Sequence, residues 1–276
     1  MSCAAWLPAI RCARSWCVRS ERVNESEFVH WNIGDGVGRL TLDRPPLNIL
    51  SIAMLREMLS IVKQAAAEQR LKALVLRAEG TVFCAGVDVA DHTAERVGEM
   101  IPLFDQACVS LAEFPAPTLA AVQGSAVGGG FELVSCCDLV VASELAHFGQ
   151  PEIKLGVIAP VAALRLPRQI GGRRAAELLM MGTTIDATKA FEMGLVNRLV
   201  PADQFEATVE VIINELTSLS AAALRACKRA VRLGTDEWVG LKAVERLYLE
   251  ELMATQDAQE GLAAFLEKRP PVWTDR

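Results

Sequence analysis

The chain has 276 residues, 51% of them hydrophobic and 22% charged, with a net charge of −6 and a pI near 5.3. That length suits one large core or a core with an appendage, and the composition is ordinary for a globular protein. The acidic balance gives no global field to draw in nucleic acid or an anionic membrane. No apolar run is long and uncharged enough to span a bilayer.

Eight cysteines occur without a CxxC or a Cys/His ligand cluster, so no metal site is expected. Cys84, Cys136, Cys137 and Cys227 lie in apolar runs, which predicts buried, reduced thiols. The first twenty residues carry Arg11, Arg14 and Arg19 and no acid. They read as a transit peptide or as an extension outside the fold, and are too weakly apolar for a secretory signal. Cytoplasmic residence is the expectation, mitochondrial if that stretch is a transit peptide.

Val37–Leu42 alternates as a strand and ends at Asp43-Arg44-Pro45-Pro46, where proline forbids continuation. Ser51 can cap a helix running to about Glu68, with Met54, Leu55, Met58, Leu59, Val62 and Ala66 at helical spacing. Lys72–Arg77 is a compact apolar strand, of the kind covered on both faces. Thr81–Asp88 is small and apolar and then turns polar. A helix over 95–113 precedes the break at Pro115-Ala-Pro117.

Pro117–Leu155 is the densest stretch. It reads as a strand (Thr118–Val122), a glycine-rich turn (Gly124–Gly130), a short helix, a second strand (Leu139–Ser143), and a turn at Gln150-Pro151-Glu152. Glycines at a helix mouth leave backbone N–H groups unshielded, although they equally let a helix pack tightly on a strand. The spacing is not GxGxxG and no Lys-Ser/Thr follows, so neither a dinucleotide fingerprint nor a P-loop is present. Glu132 and Glu152 stand in apolar company at the ends of the unit. Alone, Glu132 could be a first-turn glutamate favoured by the helix dipole, and Glu152 a turn carboxylate. Asp138 reads as a hydrogen-bonding residue at a strand edge. His147 has no nucleophile signature near it, which argues against a triad.

Beyond Gly171 the only clear strand is Val196–Val200. Helices are predicted over 173–181, 187–193, 202–219, 221–233, 241–255 and 258–269. The chain is therefore α/β first and helical last. Residues 1–24 form an extension, 25–200 an α/β core, and 201–276 a helical region.

Three blocks in this order, FCAGVDV (Phe83–Val89), AAVQGSAVGGGFELVSCCDLVVAS (Ala120–Ser143) and HFGQPEIKLG (His147–Gly156), resemble the crotonase, or enoyl-CoA hydratase/isomerase, superfamily. The likeness extends from about Val37 to Trp273, through GLVNRLVP and EGLAAFLEKRPP. It implies a spiral of β-β-α units with a C-terminal helical trimerisation region, assembling as a homotrimer or a dimer of trimers. It also implies an acyl-CoA substrate, with coenzyme A as part of the substrate and no separate cofactor.

By the same resemblance, the backbone N–H groups of Val87 and Gly129 form an oxyanion hole for the thioester carbonyl. Glu132 and Glu152 hold a water and add it across the 2,3-double bond, Glu132 as base on the water and Glu152 as donor to the α-carbon. Isomerases of the superfamily usually keep only one of that pair. Ala85, Gly86, Asp88, Val89 and Gly128 match the segments along the coenzyme A path, and Phe265 and Lys268 match the C-terminal helix at its nucleotide end. Two departures stand out. Pro46-Leu47 replaces the lysine that typical straight-chain hydratases carry, and the usual glycine-rich loop after Gly156 reads here as a stiff, glycine-free Val157–Arg165. In both places the chain looks most like the branch that hydrates cyclohexa-1,5-diene-1-carbonyl-CoA.

Overall fold

The computed structural model describes residues 27–233 and 241–272. The N-terminal extension over 1–24 and Trp273 lie outside the described residues. Among the described residues ten strands form two sheets. The larger has the order β1 (Val29–Gly34), β2 (Val37–Leu42), β3 (Ala73–Ala78), β5 (Thr118–Val122), β7 (Leu139–Ser143) and β10 (Arg198–Val200). The smaller has β4 (Val82–Cys84), β6 (Ser125–Val127), β8 (His147–Gly149) and β9 (Thr184–Asp186). β1 and β2 form an antiparallel hairpin, and every other pairing in the large sheet is parallel.

Helices α1 (Ile52–Ala66), α2 (Val97–Ala112), α3 (Gly129–Ser135) and α4 (Pro160–Ile170) interleave with the strands. The chain thus lays one strand in the large sheet, one in the small sheet, then a helix, three times in succession: β3–β4–α2, β5–β6–α3 and β7–β8–α4. That repeat is the β-β-α spiral expected from the resemblance. It is carried by geometry rather than by residue identity.

Local chemistry explains the elements. The Ser51 hydroxyl accepts from Met54 N–H at 3.3 Å and starts α1, whose apolar stripe, including Met54, Leu55, Met58 and Val62, is buried. β5 is buried along its whole length, because helices cover both sheet faces. The outer face of the large sheet, with Val37, Val75, Leu119 and Val141, is covered by Phe205, Val209 and Ile213 of α7 (Phe205–Thr217).

The remaining helices are α5 (Gly172–Met181), α6 (Ala187–Glu192), α8 (Ala221–Leu233), α9 (Leu241–Arg246) and α10 (Gln256–Leu266). Several differ from the sequence reading. The segment read as a loop through Arg165 becomes helix at Pro160, since proline at the first helical position is pre-organised for it. The helix expected over 241–255 breaks into α9, a π-turn (Leu247–Glu251) and a 3-10 turn (Leu252–Ala254). The helix expected over 202–219 opens with a 3-10 turn (Ala202–Gln204).

Cys84, Cys136 and Cys137 are buried free thiols, as is Cys108. Cys227 is exposed instead. α8 is strongly two-faced and puts Lys228 inside, so the neighbouring cysteine faces out. The described tail packs on its own chain: α9 lies against α4, and α10 against the 3-10 turns Val89–His92 and Pro151–Leu155. No single described helix is long and apolar enough to cross a membrane.

Candidate active site

β4, β6 and β8 run parallel and adjacent in the small sheet. Their carboxyl ends therefore release three segments side by side: Ala85-Gly86-Val87, Gly128-Gly129 and Gln150-Pro151-Glu152. In open α/β sheets ligands bind at that edge. The three sequence blocks that carry the resemblance are thus brought together by one short sheet.

The Gly86 loop is held from behind. Leu50 bridges Val87 in parallel fashion, its N–H donating to Gly86 O at 2.9 Å and its carbonyl accepting from Asp88 N–H at 2.9 Å. Alternation along an extended strand then sends the Val87 N–H away from Leu50. Asn48 is buried and staples the preceding loop: its Nδ2 donates to Glu79 O and Val82 O at 2.9 and 2.8 Å, and its Oδ1 accepts from Arg44 N–H at 2.8 Å.

Gly128 donates to Gly149 O at 2.9 Å and has φ +55°, a region that disfavours other residues. A Cβ on it would sit 2.7 Å from Glu152 Oε1, so the carboxylate lies directly against the glycine backbone. A Cβ on Gly129 would sit 2.7 Å from Val87 Cγ2, which puts the two loops in contact. As the first residue of α3, Gly129 has an N–H with no acceptor in its own helix.

Glu132 is buried, and its Oε1 accepts from Ala162 N–H at 2.8 Å. Ala162 is in the first turn of α4, which has no side-chain cap of its own. Glu132 therefore caps a helix in addition to facing the site. α3 and α4 are further locked where Arg165 Nε and Gln169 Nε2 donate to Ser135 O at 2.7 and 2.9 Å. With its amide nitrogen turned toward Glu152, Gln150 donates to both carboxylate oxygens at 3.0 and 3.2 Å.

Burial raises the Glu152 carboxyl to about 7. Burial also raises Glu132 well above the usual carboxylate range, helped by the charge of Glu152 and opposed by the Ala162 N–H. The pair therefore keeps one proton at or just above neutral pH, as one acceptor and one donor.

The other predicted residues lie on the segments that follow β4 and at the end of the tail. Ala85 is exposed, and Val89 is half-buried at the start of a 3-10 turn. The Asp88 carboxylate accepts from Ala90 N–H at 3.2 Å and faces Arg44 at 3.4 Å. α10 reaches the turn that Val89 opens, with Phe265 half-exposed on it and Lys268 exposed just past its end. Asp138 is structural: it accepts from Thr118 N–H at 2.7 Å and pairs with the buried Lys228 at 2.6 Å. His147 is exposed. Gln150 and Ala162 were not singled out from sequence. Only Gln150 carried a signal, as the residue before Pro151 in a block already marked.

Residues 32–276 match the family model described as enoyl-CoA hydratase/isomerase. The chain is similar to the cyclohexa-1,5-dienecarbonyl-CoA hydratase of Thauera aromatica, 38% identical over 240 residues that cover 86% of this chain and 93% of the relative. It is comparably similar to a Mycobacterium tuberculosis protein named "Probable enoyl-CoA hydratase", 37% identical over 245 residues, 87% of this chain and 95% of the relative. A solved enoyl-CoA hydratase from Mycobacterium avium subsp. paratuberculosis superposes with a TM-score of 0.80 at 28% identity, covering 90% of this chain and 98% of that one. Family match, fold and site agree: the chain belongs to the enoyl-CoA hydratase/isomerase family, with the crotonase fold, and is an enzyme of the enoyl-CoA hydratase type.

Proposed function

We propose that the chain hydrates a cyclic dienoyl-CoA of the cyclohexa-1,5-diene-1-carbonyl-CoA class, through Glu132, Glu152 and the N–H groups of Val87 and Gly129. The observation that carries the mechanism is the pair of glutamates beside Gly128-Gly129, Glu132 buried and Glu152 half-buried, with Glu152 Oε1 against the Gly128 backbone. The thioester oxygen takes both N–H bonds as enolate charge develops, each donor contributing about 3–4 kcal/mol in the transition state. One glutamate takes a proton from water as its oxygen bonds to the β-carbon, and the other gives a proton to the α-carbon. Glu132 is the base and Glu152 the acid in hydration, and the roles reverse in dehydration.

With both carboxyls raised, the pair shares one proton that either glutamate can carry. With the proton on Glu132 the pair accepts a 3-hydroxyacyl thioester, whose hydroxyl Glu132 protonates as it leaves; with the proton on Glu152 it is set for hydration. These steps use side chains and backbone alone, so chelators are expected to leave the rate unchanged. Asp88, Val89, Phe265 and Lys268 would line the coenzyme A path.

The cyclic substrate is supported by the likeness to the Thauera protein and by the glycine-free Val157–Ala159 segment leading into α4. The second reading, a straight-chain 2-enoyl-CoA, is supported by the similar identity to the mycobacterial protein. The test offers crotonyl-CoA and the cyclic dienoyl-CoA side by side and reads products by mass. A preference for the ring of at least about tenfold in kcat/KM supports the proposal, and a preference for crotonyl-CoA replaces it with the second reading. A product of unchanged mass would mark an isomerase. A homotrimer or dimer of trimers is proposed as well, supported by the exposed Met180, Met181 and Phe191 of α5 and α6. A monomer by light scattering at micromolar concentration would remove that proposal.

A further inference from the structure

Tyr248, the single tyrosine of the chain, is fully buried, and its hydroxyl has no hydrogen-bond partner. An unpaired buried hydroxyl costs stability that a phenylalanine in the same place would not. Its position is informative. It stands on the π-turn that interrupts the tail, a deviation from α-geometry found often at functional sites. The preceding α9 packs on α4, the helix whose Ala162 N–H holds Glu132. The following α10 packs on the turn that carries Glu152. The charges that bear on the Tyr248 hydroxyl are those of Glu152 and Glu132. The buried hydroxyl is thus carried between two helices that pack on the elements holding Glu132 and Glu152.

We propose that Tyr248 is a third hydrogen-bonding group at the reacting centre, donating its O–H to the oxygen exchanged between water and the β-carbon. This rests on the hydratase reading above. In hydration the water gives one proton to a glutamate and its oxygen bonds to the β-carbon. The π-electrons move to the thioester oxygen, and the α-carbon then takes its proton from the other glutamic acid. Tyr248 keeps its own proton throughout and fixes the lone-pair direction of the attacking oxygen. In reverse, the same bond holds the β-hydroxyl while Glu132 protonates it and it departs as water. Burial and the two carboxylates push the phenol above its ordinary pKa, so it stays a neutral donor across the working range. An ordered water uses two to four partners, and the two glutamates supply two of them.

The test is Tyr248→Phe, which keeps the ring and removes only the unpaired hydroxyl. On whichever acyl-CoA the native enzyme hydrates, kcat is expected to fall about tenfold or more with KM nearly unchanged, while the melting temperature holds or rises. A second measurement needs no turnover: the affinities for 3-hydroxybutyryl-CoA and butyryl-CoA, taken as a ratio. Native protein should favour the hydroxyacyl ester, and the variant should lose about three- to tenfold of that preference. Unchanged kcat and an unchanged affinity ratio, with a raised melting temperature, would overturn the proposal and leave Tyr248 as a core residue. If the native protein hydrates nothing, the hydratase reading itself fails, an outcome distinct from a native enzyme matched by its variant.

Discussion

The Glu132 carboxyl has one settled task, since Oε1 holds the Ala162 N–H, and one proposed task, the acid/base work shared with Glu152, whose charge acts on it. Glu132→Gln keeps an acceptor for that amide and removes the acid/base function, so it separates chemistry from folding. Glu132→Ala is expected to lose both, with a helix-capping cost of about 1 kcal/mol added to the lost rate. Gly128 is the glycine whose replacement bears most directly on Glu152. Gly128→Ala puts a methyl 2.7 Å from Glu152 Oε1 at φ +55°, so it should displace the carboxylate and lower kcat by at least about tenfold. Steady-state kinetics beside a thermal melt will separate that from unfolding. At this scale, carboxylates in apolar company announced themselves in the sequence. The groups that tune them, the Gln150 amide and the Ala162 backbone N–H, did not, because a main-chain donor leaves no mark in residue identity.

Long elements were legible because their patterns repeat: β2, β5, β7 and α8 match the sequence reading in full. The small sheet was not, although it assembles the site. β4, β6 and β8 have three residues each, too few for period-two alternation to stand out. The C-terminal tail was misread as two even helices for a related reason, since a π-turn preserves apolar spacing while shifting which face carries it. The anchor of α8 was equally hidden. Lys228 is buried and paired with Asp138 at 2.6 Å, with a further bond to Ala116 O at 3.2 Å. Lys228→Ala should destabilise by about 2–3 kcal/mol, a range lowered because Asp138 is a third exposed, and leave kcat per folded molecule unchanged. Urea titration with an active-site titre checks both parts.

Among the described residues three carboxyls have raised pKa values: buried Glu132, half-buried Glu152 and, on α2, buried Asp105, which burial pushes to about 7 and whose oxygens have no partner. Their unfolded values lie near 4, so between about pH 5 and pH 7 the native state binds more protons than the unfolded state. Stability therefore falls as pH rises through that window. Asp105→Asn should flatten the slope, with a gain relative to native protein that is larger at pH 8 than at pH 5, on the order of 2–4 kcal/mol. Melts across pH read this directly. Catalysis should move the opposite way. Below about pH 7 Glu152 is neutral along with Glu132, no base remains, and kcat/KM should fall tenfold per pH unit.

The assignment of acid/base work to one proton shared by Glu132 and Glu152 is tested most directly by product mass on the native enzyme and the two glutamine variants. Native protein should add one water to the enoyl thioester, and Glu132→Gln and Glu152→Gln should each slow that addition by at least about a hundredfold while still binding the CoA ester. Hydration that persists within tenfold of the native rate in both variants would contradict the account.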